Sequence, residues 1–221
     1  MAPSVFPLLP LLLLISLTAM LAIYGEMVGR RTLVYVFKPL TTVLIIALAA
    51  QLPAEEASRY RAAVLAGLVL SLAGDVFLML PADRFIAGVA AFLAAHLAYL
   101  TAFTSAVPLA ASPATFAVIA AVVAGILMAL WRSLPARMRA PLVVYAAVLG
   151  AMAAQAISQA IVLGSAAATA GAVGAALFLA SDTALVLNRF ARPFRLSPLV
   201  VLGSYYSAQV LIAISVMGTA P

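Results

Sequence analysis

Two aspartates carry the strongest chemical signal in the sequence. Asp75 and Asp182 each lie inside a long apolar run, as Gly74-Asp75-x-x-Leu78 and Ser181-Asp182-x-x-Leu185. Each is roughly six residues from the end of its run, about 9 Å deep at 1.5 Å rise per residue. A carboxylate costs about 2.5 kcal/mol or more at a bilayer centre and less near its edge, so such residues face a bundle interior or a wet cavity. Lys38, the only lysine, lies at a similar depth in a third run, next to Pro39. In low dielectric the three would pair and alter one another's protonation, the starting point for proton transfer or for an ion path. The plainer alternatives are helix packing for the aspartates and snorkelling to the headgroups for Lys38.

The uncharged polar residues follow the same logic. His96, the only histidine, precedes Tyr99 by one turn; Asn188 follows Asp182, and Tyr205, Tyr206 and Gln209 stand in the last run. Gln155 and Gln159 define a further polar stripe, and Ser71 lies one turn before Asp75. Interhelical hydrogen bonding explains each one singly. Together they suggest a lined cavity. No metal is expected, because His-Glu-x-x-His and cysteine are both absent. No Gly-x-Ser-x-Gly surrounds Ser71, which leaves a Ser71–His96 nucleophile weakly supported.

These residues need helices to hold them. Of 221 residues 67% are hydrophobic and 8% charged, with a mean hydropathy of +1.23. A soluble domain carries about 25% charged residues and could not cover itself with this composition. A span needs about 20 apolar residues. Runs fall at roughly 5–24, 32–50, 61–80, 85–105, 114–131, 141–163, 168–187 and 197–217. The expected fold is an all-α, polytopic transmembrane bundle of about eight helices in one domain, 1–221. The breaks are Gly25 through Arg31, Pro53 through Glu56, Pro81 through Arg84, Ser112-Pro113, Arg132 through Pro141, Gly164-Ser165 and Asn188 through Pro198. The first run lacks a basic leader and reads as a span, not a signal peptide.

Charge sets the topology. Alternate loops hold Arg30, Arg31, Arg84, Arg132, Arg137, Arg139, Arg189, Arg192 and Arg195; the opposite loops hold Arg59 and Arg61. The positive-inside rule puts the nine in the cytoplasm and both termini outside, in a multi-pass protein of the cell (inner) membrane. The pI near 10.2 therefore reflects membrane topology, and no nucleic-acid partner is expected. A parallel four-plus-four repeat is suggested by Lys38-Pro39-Leu40 against Ala140-Pro141-Leu142, by the two aspartate segments, and by Tyr99 against Tyr206.

With these residues identified, the chain resembles the YhhN-like family of membrane lysoplasmalogenases. The resemblance rests on Lys38-Pro39-Leu40-Thr41-Thr42, on Ser71 through Leu80, and on Phe85-x-x-Gly88-x-x-x-Phe92-x-x-x-His96-x-x-Tyr99. It continues in Gly174-Ala175-x-x-Phe178-x-x-Ser181-Asp182 through Asn188-x-Phe190, and in Tyr206-x-x-Gln209. It implies hydrolysis of the vinyl ether of a lysophospholipid to a fatty aldehyde and a glycerophospho-alcohol, without cofactor. An acid protonates the β-carbon, water adds to the oxocarbenium ion, and the hemiacetal collapses. Paired carboxyls in a poorly solvated site can divide the acid and base roles, as they do in glycoside hydrolysis. Asp75 and Asp182 are then the catalytic pair, with Lys38 for the phosphate and His96, Tyr99, Asn188, Tyr206 and Gln209 around the substrate. Membrane lipid is the other expected partner, and the sequence does not set the oligomeric state. The competing reading is a proton- or cation-coupled transporter that uses the same acids.

Overall fold

A computed structural model describes residues 8–53, 59–82 and 84–218. Among them run eight helices: α1 Leu9–Met27, α2 Arg31–Gln51, α3 Arg59–Met79, α4 Phe85–Ala106, α5 Pro113–Leu130, α6 Ala136–Leu163, α7 Ala166–Val186 and α8 Ser197–Ile214. All eight are long and apolar enough to cross a membrane. The expectation of an all-α bundle holds. Helices satisfy every backbone donor and acceptor within the segment, which lipid demands. Residues 5–7 of the first run, the 54–58 loop with Glu55 and Glu56, Asp83 and the two chain ends lie outside the described residues.

Two boundaries differ from the sequence reading. Helix α6 begins at Ala136, five residues before the expected start, with Pro141 inside it. A proline there removes one i→i−4 hydrogen bond near the helix end, which the first turns tolerate better than a mid-span position would. Helix α7 does not stop at Asn188. It continues as a π-helical turn over Leu187–Ala191, and the Asn188 Oδ1 accepts from Phe194 N at 3.0 Å to close the connection to α8. Elsewhere the ends follow local chemistry. Ser165 caps α7 by accepting from Ala168 N at 3.1 Å, and Gly164 ends α6 at φ +60°, where a side chain would be strained.

Packing follows the four-helix offset in part, although α1 also meets α8 with no comparable contact between α5 and α4. Helix α3 packs most closely on α4 and α7 on α8; α2 joins α1 and α3 as α6 joins α5 and α7; α2 meets α8 as α6 meets α4. Small residues set the approach. A Cβ on Gly74 would lie 2.5 Å from the Phe92 ring, and one on Gly174 would lie 2.9 Å from the Ala208 carbonyl oxygen. Gln155 acts as a strut, donating to Val107 O at 2.8 Å and accepting from Ala110 N at 3.1 Å. It ties the α4–α5 connection to α6, the structural role open to any single membrane glutamine. Helix α5 stands at the margin, with only Val123 and Leu130 buried along its length.

Candidate active site

Asp75 lies one turn before the end of α3, and only 1% of it is exposed. Its Oδ2 accepts from Thr42 Oγ1 and from the Tyr205 hydroxyl, both at 2.7 Å. Its Oδ1 stands 3.8 Å from the buried Lys38 Nζ. A buried charge needs this much compensation: an opposite charge and hydrogen bonds on the remaining lone pairs. The network continues inward. Gln209 Nε2 donates to the Tyr205 oxygen at 3.1 Å, and Tyr99 donates to Gln209 Oε1 at 2.6 Å. Ser71 approaches Tyr99 at 3.4 Å, so its neighbour is a phenol and no Ser71–His96 pair forms.

Asp182 occupies the equivalent turn of α7, with 14% of its side chain exposed. Its Oδ2 accepts a hydrogen bond from the Tyr145 hydroxyl, and His96 Nε2 lies 4.0 Å away. The imidazole is gripped by rings, edge-on to Phe178 at 4.6 Å and to Tyr145 at 5.2 Å between centroids. Neither of its nitrogens has a hydrogen-bond partner among the described residues.

The sequence-predicted residues thus form two adjoining clusters, and neither carboxyl lies on the outer face of the bundle. Lys38, Asp75, Tyr99 and Gln209 belong to one, and Asp182 and His96 to the other. Phe178 stands between them, touching His96 on one side and Tyr205 on the other, at 5.5 Å. Tyr206 is set apart: it packs on Tyr205 and lines an opening between α1 and α8. Three residues that hold the aspartates were not singled out as site residues from the sequence, namely Thr42, Tyr145 and Tyr205. Thr42 lies in the Lys38-Pro39 motif, and Tyr145 lies four residues after the matching Pro141. Among the described residues no three His, Cys, Asp or Glu side chains group as metal ligands.

Three neighbouring cavities share lining residues, and two of them border Asp182. The first is open and charged: Glu26, Lys38, Asn188, Arg189 and Ser197 line it at the end of the bundle that carries the nine loop arginines. Leu78, Phe85 and Leu185 lie between it and a second, small space bordered by Asp182 and Tyr145. Those two residues, with Leu142 and Val186, are shared with a third, almost wholly apolar groove between α5, α6 and α7. The charged cavity, the space beside Asp182 and the apolar groove are therefore neighbours through shared lining residues.

Known proteins give this arrangement its context. The chain is 29% identical over 198 residues to the Uncharacterized membrane protein YhhN of Escherichia coli O6:H1, covering 90% of this chain and 94% of that one. It is 38% identical over 159 residues to Lysoplasmalogenase TMEM86B of Sus scrofa, covering 71% of this chain and 64% of the relative. No solved structure matches the chain at a significant level. The sequence profile of the YhhN family matches residues 33–216, which take in both aspartates, Lys38 and most of the lining of all three cavities, and the chain belongs to that family.

Proposed function

We propose that this membrane protein is a lysoplasmalogenase-type ether hydrolase, cleaving the vinyl ether of a single-tailed alkenyl glycerophospholipid at Asp182. The neighbouring cavities carry the reading. A lysolipid with its head among Lys38, Asn188 and Arg189 and its tail between α5, α6 and α7 brings its ether past Asp182 and Tyr145. The name of the pig relative supports the same substrate class.

The two aspartates then take unequal parts. Asp182 borders the groove and has one hydroxyl donor. It gives its proton to the β-carbon of the vinyl ether, and its carboxylate faces the oxocarbenium ion that results. Water adds to the carbon bonded to the ether oxygen and returns a proton to Asp182; the hemiacetal then breaks its bond to the glycerol oxygen, which takes the hydroxyl proton and leaves aldehyde and glycerophospho-alcohol. Asp75 is the fixed carboxylate. Its ion pair and two hydroxyl donors hold Lys38 at the wall of the head cavity, where the substrate phosphate is placed. His96 and Tyr145 orient the Asp182 carboxyl. The transporter reading is less well supported, since beyond Asp75 the polar groups of Tyr99 and Gln209 are buried and bonded to each other.

The test is direct. Purified protein in nanodiscs is incubated with alkenyl glycerophosphoethanolamine, and released fatty aldehyde is measured. Aldehyde is expected from the unmodified protein, and its absence refutes the proposal. The cell (inner) membrane, with the arginine-rich end in the cytoplasm, is proposed as the setting.

A further inference from the structure

The connection between α5 and α6 holds three arginines that neither the chemistry at Asp182 nor the charged cavity uses. We propose that the lipid-facing groove along α5 and α6 seats one anionic phospholipid, its phosphate held by Arg139 and one acyl chain laid in the groove. The bound lipid fastens α5, a wall of the Asp182 groove, to α6. The seat stands apart from the hydrolase reading; only its effect on aldehyde release rests on that reading.

The groove has an apolar floor and a charged head. Ala120, Ala124 and Leu127 of α5 and Val143, Ala147 and Ala151 of α6 line it. Steps of three and four residues keep each set on one helix face. From Phe116 to Leu127 it runs about 16 Å, comparable to one leaflet of a hydrocarbon core about 30 Å thick. One turn further toward the arginine-rich end, the same two faces reach Trp131 after Leu127 and Arg139 before Val143. There the Arg139 Cζ lies 5.0 Å from the Trp131 ring centre, so cation and indole close the head of the groove together.

Charge says what fills it. Arg132, Arg137 and Arg139 lie close together, and the sequence has no Asp or Glu between Asp83 and Asp182. None of the three forms an ion pair among the described residues, and the Arg139 Nε is buried without a hydrogen-bond partner. A guanidinium stacked on a ring keeps its in-plane donors for a phosphate. Topology alone asks only for arginine in the loop, whereas Arg139 lies within α6, above the groove. A lipid with a net negative charge complements these arginines; a zwitterionic one cancels its phosphate with its own amine. The grip matters because α5 packs chiefly on α6, and Val123, Leu127 and Ala146 line this groove and the Asp182 groove alike.

Trp131 is the only tryptophan, so its fluorescence reads the seat without turnover. Full-length protein in phosphatidylcholine nanodiscs receives a small fraction of phosphatidylglycerol brominated near the headgroup end of its chains, or the same fraction of brominated phosphatidylcholine. The anionic lipid is expected to quench Trp131 as though bound about fivefold tighter, the scale of one arginine at an anionic surface. Arg139→Gln should bring that ratio to about one, and Arg139→Lys should keep part of it. Ala147→Leu, which fills the groove, should lower it with every arginine in place. Arg192→Gln, in the connection before α8, should leave it unchanged. Equal quenching by both lipids, or a ratio unmoved by Arg139→Gln or by Ala147→Leu, overturns the seat. So does a ratio lost equally in Arg192→Gln, which would show diffuse attraction to the whole arginine-rich face. In the aldehyde assay, release by the unmodified protein should rise with added phosphatidylglycerol, while Arg139→Gln stays at the level seen in phosphatidylcholine alone. Release that ignores phosphatidylglycerol refutes the fastening of α5. The two proposals fail separately: a quenching preference without aldehyde sinks the hydrolase and keeps the seat, and aldehyde without a quenching preference does the reverse.

Discussion

Breaking the Lys38–Asp75 pair from each side in turn should give unequal losses that a double replacement largely cancels. At 3.8 Å and an effective dielectric of 20, the attraction is about 4 kcal/mol. Removing one member of a buried pair typically costs about 3–5 kcal/mol, mostly because the other charge is stranded. Asp75→Asn keeps the shape, and the amide oxygen still accepts from Thr42 and Tyr205, but Lys38 is left facing a neutral group; a loss near 3–4 kcal/mol is expected. Lys38→Met strands a carboxylate that still has two hydroxyl donors, and hydrogen bonds to a charged group are worth roughly 1.5–3 kcal/mol each. Its loss should be about 2 kcal/mol. The Lys38→Met, Asp75→Asn double variant strands nothing and should lie within about 1 kcal/mol of the unmodified protein. Unfolding in mixed micelles by added SDS measures all four. A double variant whose loss equals the sum of the two single losses would show that the charges do not meet, with Lys38 snorkelling to the headgroups, and would remove the account of Asp75 as a fixed carboxylate.

Asp182→Asn should lower aldehyde release by about 10²–10⁴-fold, while a fluorescent lysolipid still binds; full activity would return Asp182 to a structural role. Tyr145→Phe, which removes the hydroxyl that Asp182 accepts from, should cost roughly ten- to a hundredfold in kcat with KM little changed. Gly74→Ala drives a methyl to 2.5 Å from a Phe92 ring already wedged against Phe178 and Tyr205. A loss of about 1–3 kcal/mol in the same unfolding assay is expected. A reporter fused to the C-terminus should be active only outside the cytoplasm; a cytoplasmic signal would invert the topology drawn from the arginines.

How far these features can be read from the sequence depends on which physical rule encodes them. Span number and position are written in hydropathy, because lipid tolerates no long polar segment, and the eight runs match the eight helices within a few residues except at α6. There a proline was given the weight of a breaker that it lacks near a helix end. Asp75 and Asp182 were legible because a charge inside a span is costly enough to need a reason. Their hydroxyl partners were not, since a tyrosine in an apolar run is unremarkable and hydropathy does not say which way a helix is turned. Tyr205 and Tyr206 show the limit. They are neighbours, about 100° apart around α8, and only one can face Asp75. The Tyr206-x-x-Gln209 pattern points to Tyr206 for the substrate and says nothing of Tyr205, whose hydroxyl reaches Asp75. Glu26 read as a helix-end signal, and only the folded cavity places it with Lys38.

The internal echo explains why two aspartates at one depth need not do one job. Each is held by a hydroxyl from the helix before it, Thr42 of α2 for Asp75 and Tyr145 of α6 for Asp182. Each also faces a ring from the fourth helix of the other half, Tyr205 of α8 for Asp75 and His96 of α4 for Asp182. The frame is shared and the difference lies beside it. Lys38 in the first half stands where the second has Ala140, so Asp75 gains an ion pair that Asp182 lacks. The outermost helices differ as well: α1 is the helix that brings Glu26 to the head cavity, whereas α5, buried at only two positions along its length, leaves an apolar groove that ends on Asp182. A carboxyl already neutralised by a lysine gains little by giving up or taking a proton, while one bounded by a phenol and an apolar groove can do both. Exchanging the two environments, with Lys38→Ala and Ala140→Lys together, should therefore silence Asp182 without awakening Asp75, because the groove stays with the second half. Aldehyde release restored through Asp75 in that exchanged protein would show that the groove does not decide which aspartate acts.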